Sequence, residues 1–239
     1  MAAPSWFTPV LWAHIGVGVA ALVAGAGAMV SRKGSRLHRR FGAVYVAGTA
    51  GVVLSAFALT SATRDLFLAS IAVFSGYMVF AGYRALAQKP RGRPATRLDY
   101  AAGIVMVVVA VGMVALGGWG VLVEGRGRSV VLVAFGALAL AFAGQDLLTF
   151  RRGPSLRFDW FYRHIARMLG SYIATVTAVS AVNLFFLPTV VRWLWPTAVG
   201  TPLIALWIRR YQRRFGENGT PRDIAAALTH GTDEPRKEE

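Results

Sequence analysis

Three histidines lie within or beside long apolar segments of this chain, and they are the side chains best suited to chemistry. His14 lies inside the first apolar segment, His38 precedes the second, and His164 precedes the sixth. An imidazole can bind a metal or haem iron, and it can carry a proton near neutral pH. The chain has no cysteine, which excludes disulfides, thiolate metal sites and thiol nucleophiles. Any metal or haem would therefore be held by histidine, carboxylate or methionine.

A polar stripe marks one face of the sixth apolar segment. On a helical wheel its members fall within one arc, and they include His164, Ser171, Tyr172 and Asn183. Such a stripe is predicted to face the interior of a helix bundle. Asn183, at one end of the stripe, is expected at a depth in the membrane similar to that of His14. A hydrogen bond between Asn183 and His14 is therefore one expectation. Ordinary packing contacts between membrane helices are the structural alternative for the stripe.

A third group of polar residues lies where apolar segments meet basic loops. Its members are His38, Arg39, Arg40, Tyr45, Asp99, Tyr100, Gln145, Asp146, His164 and Arg167. All are expected at one level of the membrane. Ionisable groups inside the membrane, such as His14, are functional candidates by default, while the structural alternative for His14 is a hydrogen bond from a neutral imidazole to a neighbouring helix. For Asp146 the structural alternative is an interfacial ion pair with the nearby Arg151 and Arg152.

Seven apolar segments must position these side chains, and each is close to the ~20 residues that a helix needs to cross a bilayer. The predicted spans are residues 8–30, 41–60, 65–87, 99–122, 129–150, 165–187 and 190–208. The predicted fold class is all-α, a polytopic membrane helix bundle formed by residues 1–210. Residues 211–239 are predicted to be a cytoplasmic tail that is partly disordered, with a short helix opening at Thr220, Pro221 and Asp223.

The distribution of basic residues predicts the orientation of the spans. Of the 26 Lys and Arg, 22 lie in alternate loops and in the tail, and the other four are Arg64, Arg126, Arg128 and Arg192. Short basic loops stay in the cytoplasm, so the N-terminus is predicted outside and the C-terminus inside. No basic residue precedes the first span, which is also too long for the apolar part of a cleaved signal peptide. We expect a multi-pass protein of the bacterial cytoplasmic (inner) membrane.

In such a protein the formal net charge of +15 is explained most simply by contact with the membrane surface. Anionic lipid headgroups on the cytoplasmic face would attract the basic loops, whereas nucleic acid is not expected because no separate basic domain exists. Small residues in several spans, among them Gly18, Gly25 and Gly48, suit close helix packing within a monomer or a homodimer. Both oligomeric states stay open.

The motifs also resemble those of a family. The matching residues are His14, Lys33, Gly34, His38, Arg39, Arg40, Gly42, Tyr45, His164, Met168, residues 170–174 and Asn183. With these, the seven-helix region resembles an uncharacterised family of bacterial multi-pass membrane proteins. The resemblance implies the membrane fold and marks His14, His38 and His164 as positions to test, but it implies no reaction.

Two hypotheses for the function rest on these residues. The first is a transporter for a small solute or protons that uses His14, Asn183 and the polar stripe of the sixth span. The second is a redox protein in which His38 and His164 hold one b-type haem.

Two further alternatives complete the set. An intramembrane metal enzyme would need three converging ligands, with Asp99 or Asp146 added to the histidines. A structural or regulatory role would need no such site. In the haem hypothesis, Arg39, Arg40 or Arg167 would pair with the propionates.

Overall fold

The computed structural model describes residues 4–89, 94–125, 127–153 and 158–215. In these ranges the chain forms α-helices and one short 3₁₀ turn, Leu86–Gln88, with no strand. The helices are α1 (Phe7–Val30), α2 (Arg36–Thr63), α3 (Leu66–Ala85), α4 (Arg97–Glu124), α5 (Gly127–Arg152), α6 (Asp159–Asn183) and α7 (Thr189–Phe215). The all-α prediction is confirmed for this part of the chain.

Six of these helices, α1 to α6, are long and apolar enough to cross a membrane. The chain is thus compatible with a multi-pass membrane protein. The seventh predicted span lies inside α7, but α7 is not one of the six. Pro196 and Pro202 lie within α7, and Arg192 lies in its first turn, so its composition is less apolar than that of the others.

Most helices extend beyond the predicted spans by a few residues, and the differences at α6 and α7 bear on the polar residues. Helix α6 begins six residues before the predicted residue 165 and ends at Asn183, four residues before the predicted 187. Helix α7 continues beyond residue 210 to Phe215, because Tyr211 and Phe215 pack against Phe161 in an aromatic cluster. The short helix predicted near Thr220 lies outside the described residues.

Successive helices run antiparallel, so α2, α4 and α6 all begin at one end of the molecule. Contacts such as those of His38 with Ala28 and Arg84 with Asp99 join the ends of consecutive helices there. We call this end, which carries the basic connections, the basic end. Because α2 and α6 start there together, residues at equal distances from their starts lie at similar levels.

Helices α3 and α6 lie at the centre of the packing. The α1–α2 and α4–α5 hairpins form the two largest interfaces, α3 contacts α2, α4, α5 and α6, and α6 contacts α1, α3 and α7. Helices α1, α2, α3 and α6 therefore form a four-helix group with α2 and α6 on opposite corners. Glycine permits close approach here, since a Cβ on Gly25 would overlap the Tyr172 ring.

Candidate functional site

His38 and His164 are held in the same way by neighbouring helices at the basic end. The Nδ1 atom of His38 lies 2.9 Å from the carbonyl oxygen of Ala28 on α1, and that of His164 lies 2.9 Å from the carbonyl oxygen of Gly82 on α3. A carbonyl oxygen only accepts hydrogen bonds, so in both rings Nδ1 carries the proton and donates. The lone pair of each neutral imidazole is then on Nε2, the nitrogen that a metal could bind.

A buried contact between α2 and α6 places the two histidines at one level. The Tyr45 hydroxyl lies 2.7 Å from Oγ of Ser171. His38 lies seven residues before Tyr45, and His164 lies seven residues before Ser171. Seven residues are two helical turns, or about 10 Å of rise, toward the same end of both helices. The histidines therefore lie at matching positions on opposite corners of the four-helix group.

The charged groups that act on this histidine pair are all cationic. Lys33 and Lys89 interact electrostatically with His164, as does His38, and Lys33 also acts on His38. We call Lys33, His38, Lys89 and His164 the histidine cluster. No carboxylate takes part in it within the described residues. The cluster could therefore accept an anionic group without first breaking an ion pair.

Both lysines of the histidine cluster are anchored beside tryptophan rings. Lys33 donates to the carbonyl oxygens of Ala28 and Met29 at the end of α1, and its Nζ lies 5.3 Å from the centre of the Trp207 ring. Burial lowers the pKa of the Lys33 ammonium. Lys89 Nζ lies 5.3 Å from the centre of the Trp160 ring. Such cation–π contacts hold the ammonium groups in position. An aromatic ring carries no net charge, so the contacts do not neutralise the lysines.

A second cluster at the basic end has the opposite character. Asp146 of α5 is fully buried, and its carboxylate accepts hydrogen bonds from the Tyr77 hydroxyl at 2.6 Å, Arg163 Nε at 3.0 Å and Arg167 at 3.0 and 3.1 Å. We call Tyr77, Asp146, Arg163 and Arg167 the Asp146 cluster. It ties α3, α5 and α6 together. The structural alternative for Asp146, an ion pair, is thus present, but its partners are Arg163 and Arg167. The nearby Arg151 and Arg152 are exposed.

The arginines of the Asp146 cluster have further partners. Arg163 donates to Oε1 of Gln88 at 2.7 Å and lies 3.8 Å from the Asp159 carboxylate. Arg167 donates to the carbonyl oxygen of Phe142 at 3.0 Å, with its guanidinium 4.5 Å from the centre of that ring. Arg167 is therefore already occupied in the protein and is not free to pair with a ligand at the histidine cluster.

Asp99 has a local structural role that the sequence analysis did not assign to it. Its carboxylate accepts hydrogen bonds from Arg84 Nε at 2.7 Å and from Arg84 Nη2 at 2.8 Å, and it forms a capping box with Thr96 at the start of α4. This bidentate pair joins the end of α3 to α4. Arg39 is exposed and donates to the carbonyl oxygen of Gly34, while Arg40 is also exposed.

The middle of the polar stripe of α6, which is formed by Ser171, Tyr172 and Thr175, faces α1 and α2 and is engaged in hydrogen bonds. Besides the Tyr45–Ser171 contact, Tyr45 lies 3.5 Å from Oγ1 of Thr175, and the Tyr172 hydroxyl donates to the carbonyl oxygen of Leu22 at 3.3 Å. The rings of Tyr45 and Tyr172 lie 6.1 Å apart. These contacts fill the interior of the four-helix group about two helical turns beyond the histidine pair, on the side away from the basic end.

The expected hydrogen bond between His14 and Asn183 is not formed. Nδ1 of His14 lies 2.9 Å from Oγ of Ser55 on α2, and Asn183 is exposed and donates to the carbonyl oxygen of Val179 on its own helix. His14 precedes Ala28 by 14 residues, which is about 21 Å of helix. Since Ala28 binds His38, His14 lies far from the histidine cluster.

The described ranges contain no group of three or more His, Cys, Asp or Glu side chains that could hold a metal ion. This finding removes support from a three-ligand metal enzyme in that part of the chain. A haem iron needs only axial protein ligands, so the histidine pair is compatible with haem.

Sequence reasoning missed Tyr77, Arg84 and Arg163 as members of the polar network. The available signal was the spacing of Arg163 and Arg167, since residues four apart lie on one face of a helix and Asp146 is the only carboxylate in the predicted fifth span. Comparisons of the chain with protein-family models, curated proteins and solved structures found no match. The family resemblance suggested by the motifs stays a prediction.

Proposed function

We propose that the protein is a membrane redox protein that holds one b-type haem between His38 and His164. The observation that carries the proposal is the matched geometry of the pair. Each Nδ1 donates to a backbone carbonyl of another helix, at the same level of two parallel helices on opposite corners of a four-helix group. A bond from Nδ1 to a carbonyl fixes the orientation of a ligating histidine and makes its Nε2 a better ligand.

The surroundings of the pair support haem over a bare metal ion. A haem carries two propionates, and Lys33 and Lys89 are cations without a carboxylate partner in the described part of the chain. Phe41 and Met168 lie within one helical turn of the histidines, on the side toward Tyr45, and offer an apolar wall. When bound, the haem would supply one-electron transfer, while the two histidines hold its iron and the lysines pair with its carboxylates.

The transport hypothesis has less support in the geometry. It needs polar groups along a path through α1 and α6, but His14, Ser171 and Tyr172 are hydrogen bonded within the protein, and Asn183 is exposed. Within the described residues these contacts join helices to one another.

We further propose seven spans, with the N-terminus outside and the basic end in the cytoplasm of a bacterial cell. Helix α7 supports this count, since its 27 residues pack along α6 and α5 and leave apolar side chains such as Val199, Leu203 and Leu206 exposed. Anionic headgroups would then meet the basic loops. A reporter that is active only outside the cytoplasm should be silent when fused after Arg93 and active after Arg126. The reverse pattern would overturn the orientation.

The haem proposal is tested by visible spectra of the purified protein, oxidised and reduced, after expression with ample haem. The wild type should show a Soret band and sharp reduced α and β bands. His38→Gly and His164→Gly should each lose these bands, and added imidazole should restore part of them, because it can replace the missing ligand. His14→Gly is the matched control and should keep the full spectrum.

Two outcomes would contradict the proposal. The first is a folded wild-type protein that elutes as a single species in detergent yet stays colourless with excess haem. The second is a full haem spectrum in both the His38 and His164 variants. Loss of folding in a variant is recognised by gel filtration and by failure of imidazole to restore the bands. In that case His164→Met, which keeps a ligand but shifts the spectrum and potential, decides the assignment.

A further inference from the structure

The last two turns of α7 carry four arginines on one exposed side of the helix. Arg209, Arg210, Arg213 and Arg214 are all exposed, and their spacing places them within an arc of about 140° around the helix axis. No carboxylate among the described residues forms an ion pair with any of them. This side of α7, which we call the arginine face, therefore presents four positive charges that those residues do not neutralise.

Another side of the same turns is fixed by aromatic packing. The rings of Trp207, Tyr211 and Phe215 stack along α7 with centroid separations of 6.4 and 5.5 Å, and the Tyr211 ring lies 5.2 Å from the Phe161 ring of α6. Helix α7 is therefore held against α6 as far as its last residue. Because the backbone beneath the four arginines is held, a ligand has only to order their side chains.

The level of the arginine face follows from the packing of α7 on α6. Tyr211 lies against Phe161, which is the third residue of α6. The arginines on either side of Tyr211 therefore lie level with the start of α6, at the basic end. Tryptophan and tyrosine, the residue types at 207 and 211, concentrate at membrane–water interfaces. In the proposed seven-span topology this is the level of the lipid phosphates.

Exposed apolar side chains continue the arginine face toward the membrane centre. Val199, Leu203 and Leu206 are exposed, and at about 100° per residue they fall on the same side of α7 as the arginines. This side of the helix is thus apolar over two turns and cationic over the next two. A phospholipid is divided in the same way, with acyl chains beside the apolar turns and phosphate beside the cationic turns.

The spacing of the arginines fits two phosphates. Arg209 with Arg213, and Arg210 with Arg214, are each four residues apart, so the members of a pair are neighbours along the helix. A guanidinium group binds phosphate through two parallel hydrogen bonds, and a pair can hold one phosphate between two such groups. The two pairs lie side by side, about 100° apart around the helix. A lipid with a single phosphate would occupy only one pair.

We propose that the arginine face binds one phospholipid with two phosphodiester groups, of the diphosphatidylglycerol type, with its acyl chains along Val199, Leu203 and Leu206. The assignment rests on the proposed seventh span, which places α7 across the bilayer. It goes beyond the general attraction of basic loops to anionic headgroups, because it is one site with a fixed stoichiometry.

Native mass spectrometry of the full chain in detergent measures this binding. The protein is titrated with tetraoleoyl diphosphatidylglycerol or with dioleoyl phosphatidylglycerol, which has the same acyl chains but one phosphate. We expect one diphosphatidylglycerol per chain, bound about tenfold more tightly than phosphatidylglycerol because both arginine pairs are used. Equal affinity for the two lipids would overturn the proposal.

The arginines are tested by paired substitutions. Arg210→Gln combined with Arg214→Gln removes one phosphate position and should lower the affinity for diphosphatidylglycerol to that for phosphatidylglycerol. Arg151→Gln combined with Arg152→Gln is the matched control, since these exposed arginines end α5 at the same end of the molecule and the change in net charge is the same. The control should keep the wild-type preference. An equal loss in both double variants would mean that only net charge matters and would overturn the site.

The deacylated headgroup distinguishes a lipid from a soluble anion. Bis(glycerophospho)glycerol has the two phosphodiester groups of diphosphatidylglycerol but no acyl chains to contact Leu203 and Leu206. It should not displace the lipid when present at the same concentration. Displacement at that concentration would overturn the lipid assignment in favour of a soluble diphosphate.

A reporter fusion separates this proposal from the seventh span on which it rests. A reporter that is active only outside the cytoplasm should be silent when fused after Phe215, since α7 must cross the membrane to bring that residue inside. A silent reporter without lipid selectivity contradicts only the lipid site. An active reporter with the selectivity retained contradicts the seventh span and keeps the arginines as the phosphate site. An active reporter without selectivity overturns both.

Discussion

The histidine cluster and the Asp146 cluster lie at the same end of the molecule and share helix α6. They differ in whether their charged groups are paired with groups of opposite charge. In the Asp146 cluster one fully buried carboxylate binds two arginines and a tyrosine. In the histidine cluster Lys33 and Lys89 contact carbonyl oxygens or aromatic rings but no carboxylate among the described residues. His164 and Arg163 are adjacent in sequence and belong to different clusters. The difference suggests that one face of α6 stabilises the fold while the other is available to a ligand.

The largest effect is expected from a substitution in the Asp146 cluster, where the charges are paired. Asp146→Ala would leave Arg163 and Arg167 buried without their carboxylate, a change that typically costs about 3–5 kcal/mol. The free energy of unfolding in a detergent titration measures it. Arg152→Ala is the matched control, since Arg152 is exposed on the same helix and should change stability by less than about 0.5 kcal/mol. Equal stability of the two variants would contradict a role of Asp146 in holding α3, α5 and α6 together.

A second substitution tests whether the four-helix group that holds the histidine cluster is stabilised by close helix packing. A Cβ on Gly25 would lie 2.5 Å from the Tyr172 ring, so Gly25→Ala should cost about 1–3 kcal/mol through overpacking. Gly16→Ala on the same helix has no neighbour within 4 Å and should be neutral or slightly stabilising, because alanine favours helix. The two melting temperatures decide the question. A Gly25→Ala protein that melts with Gly16→Ala would show that α1 packs loosely on α6.

The smallest expected effect concerns an ion pair at the opposite end of the molecule. Asp65 caps α3 through Leu68 N and pairs with Arg128 at 2.7 Å. Partial burial by itself would raise the pKa of Asp65, but the hydrogen bonds from Arg128 and Leu68 outweigh it and hold the pKa below the ordinary 3.8. A carboxylate with a lowered pKa stabilises the fold above its unfolded pKa, and this contribution is lost as the pH falls through the folded value.

Asp65→Asn isolates that contribution, because asparagine also caps helices well. Compared with the wild type, the variant should be less stable by at most about 1 kcal/mol at neutral pH, since the pair is partly exposed. The difference should shrink as the pH falls below 3.8. It should also shrink at high salt. A difference that is constant between pH 7 and pH 3 would mean that the charge of Asp65 does not contribute.

The sequence predicted the helices better than their contacts. Six of the predicted spans correspond to helices with the length and composition of membrane spans, because a run of about 20 apolar residues has few other uses. The shared level of His38 and His164 also followed from their positions at the starts of two apolar segments. These features depend on local composition, which a single sequence contains.

The partners of the polar side chains depend on helix rotation and on which helices are neighbours. Asp146 is near Arg151 and Arg152 in sequence, but those residues point elsewhere on α5, and its partners come from α6. His14 shares a depth with Asn183, yet α1 packs mainly on α2, so Ser55 is its partner. Hydropathy fixes the depth of a residue but not the direction of its side chain.

The bond between Arg84 and Asp99 has a practical consequence. It joins the end of α3 to the start of α4 through side chains, in addition to the covalent chain between Lys89 and Pro94. Two polypeptides, residues 1–89 and 94–239, should therefore reassemble when they are coexpressed, since the broad contacts of α3 with α4, α5 and α6 are present in the pair. The molecule can then be labelled in one half only, which makes each side of the α3–α6 interface separately visible to spectroscopy.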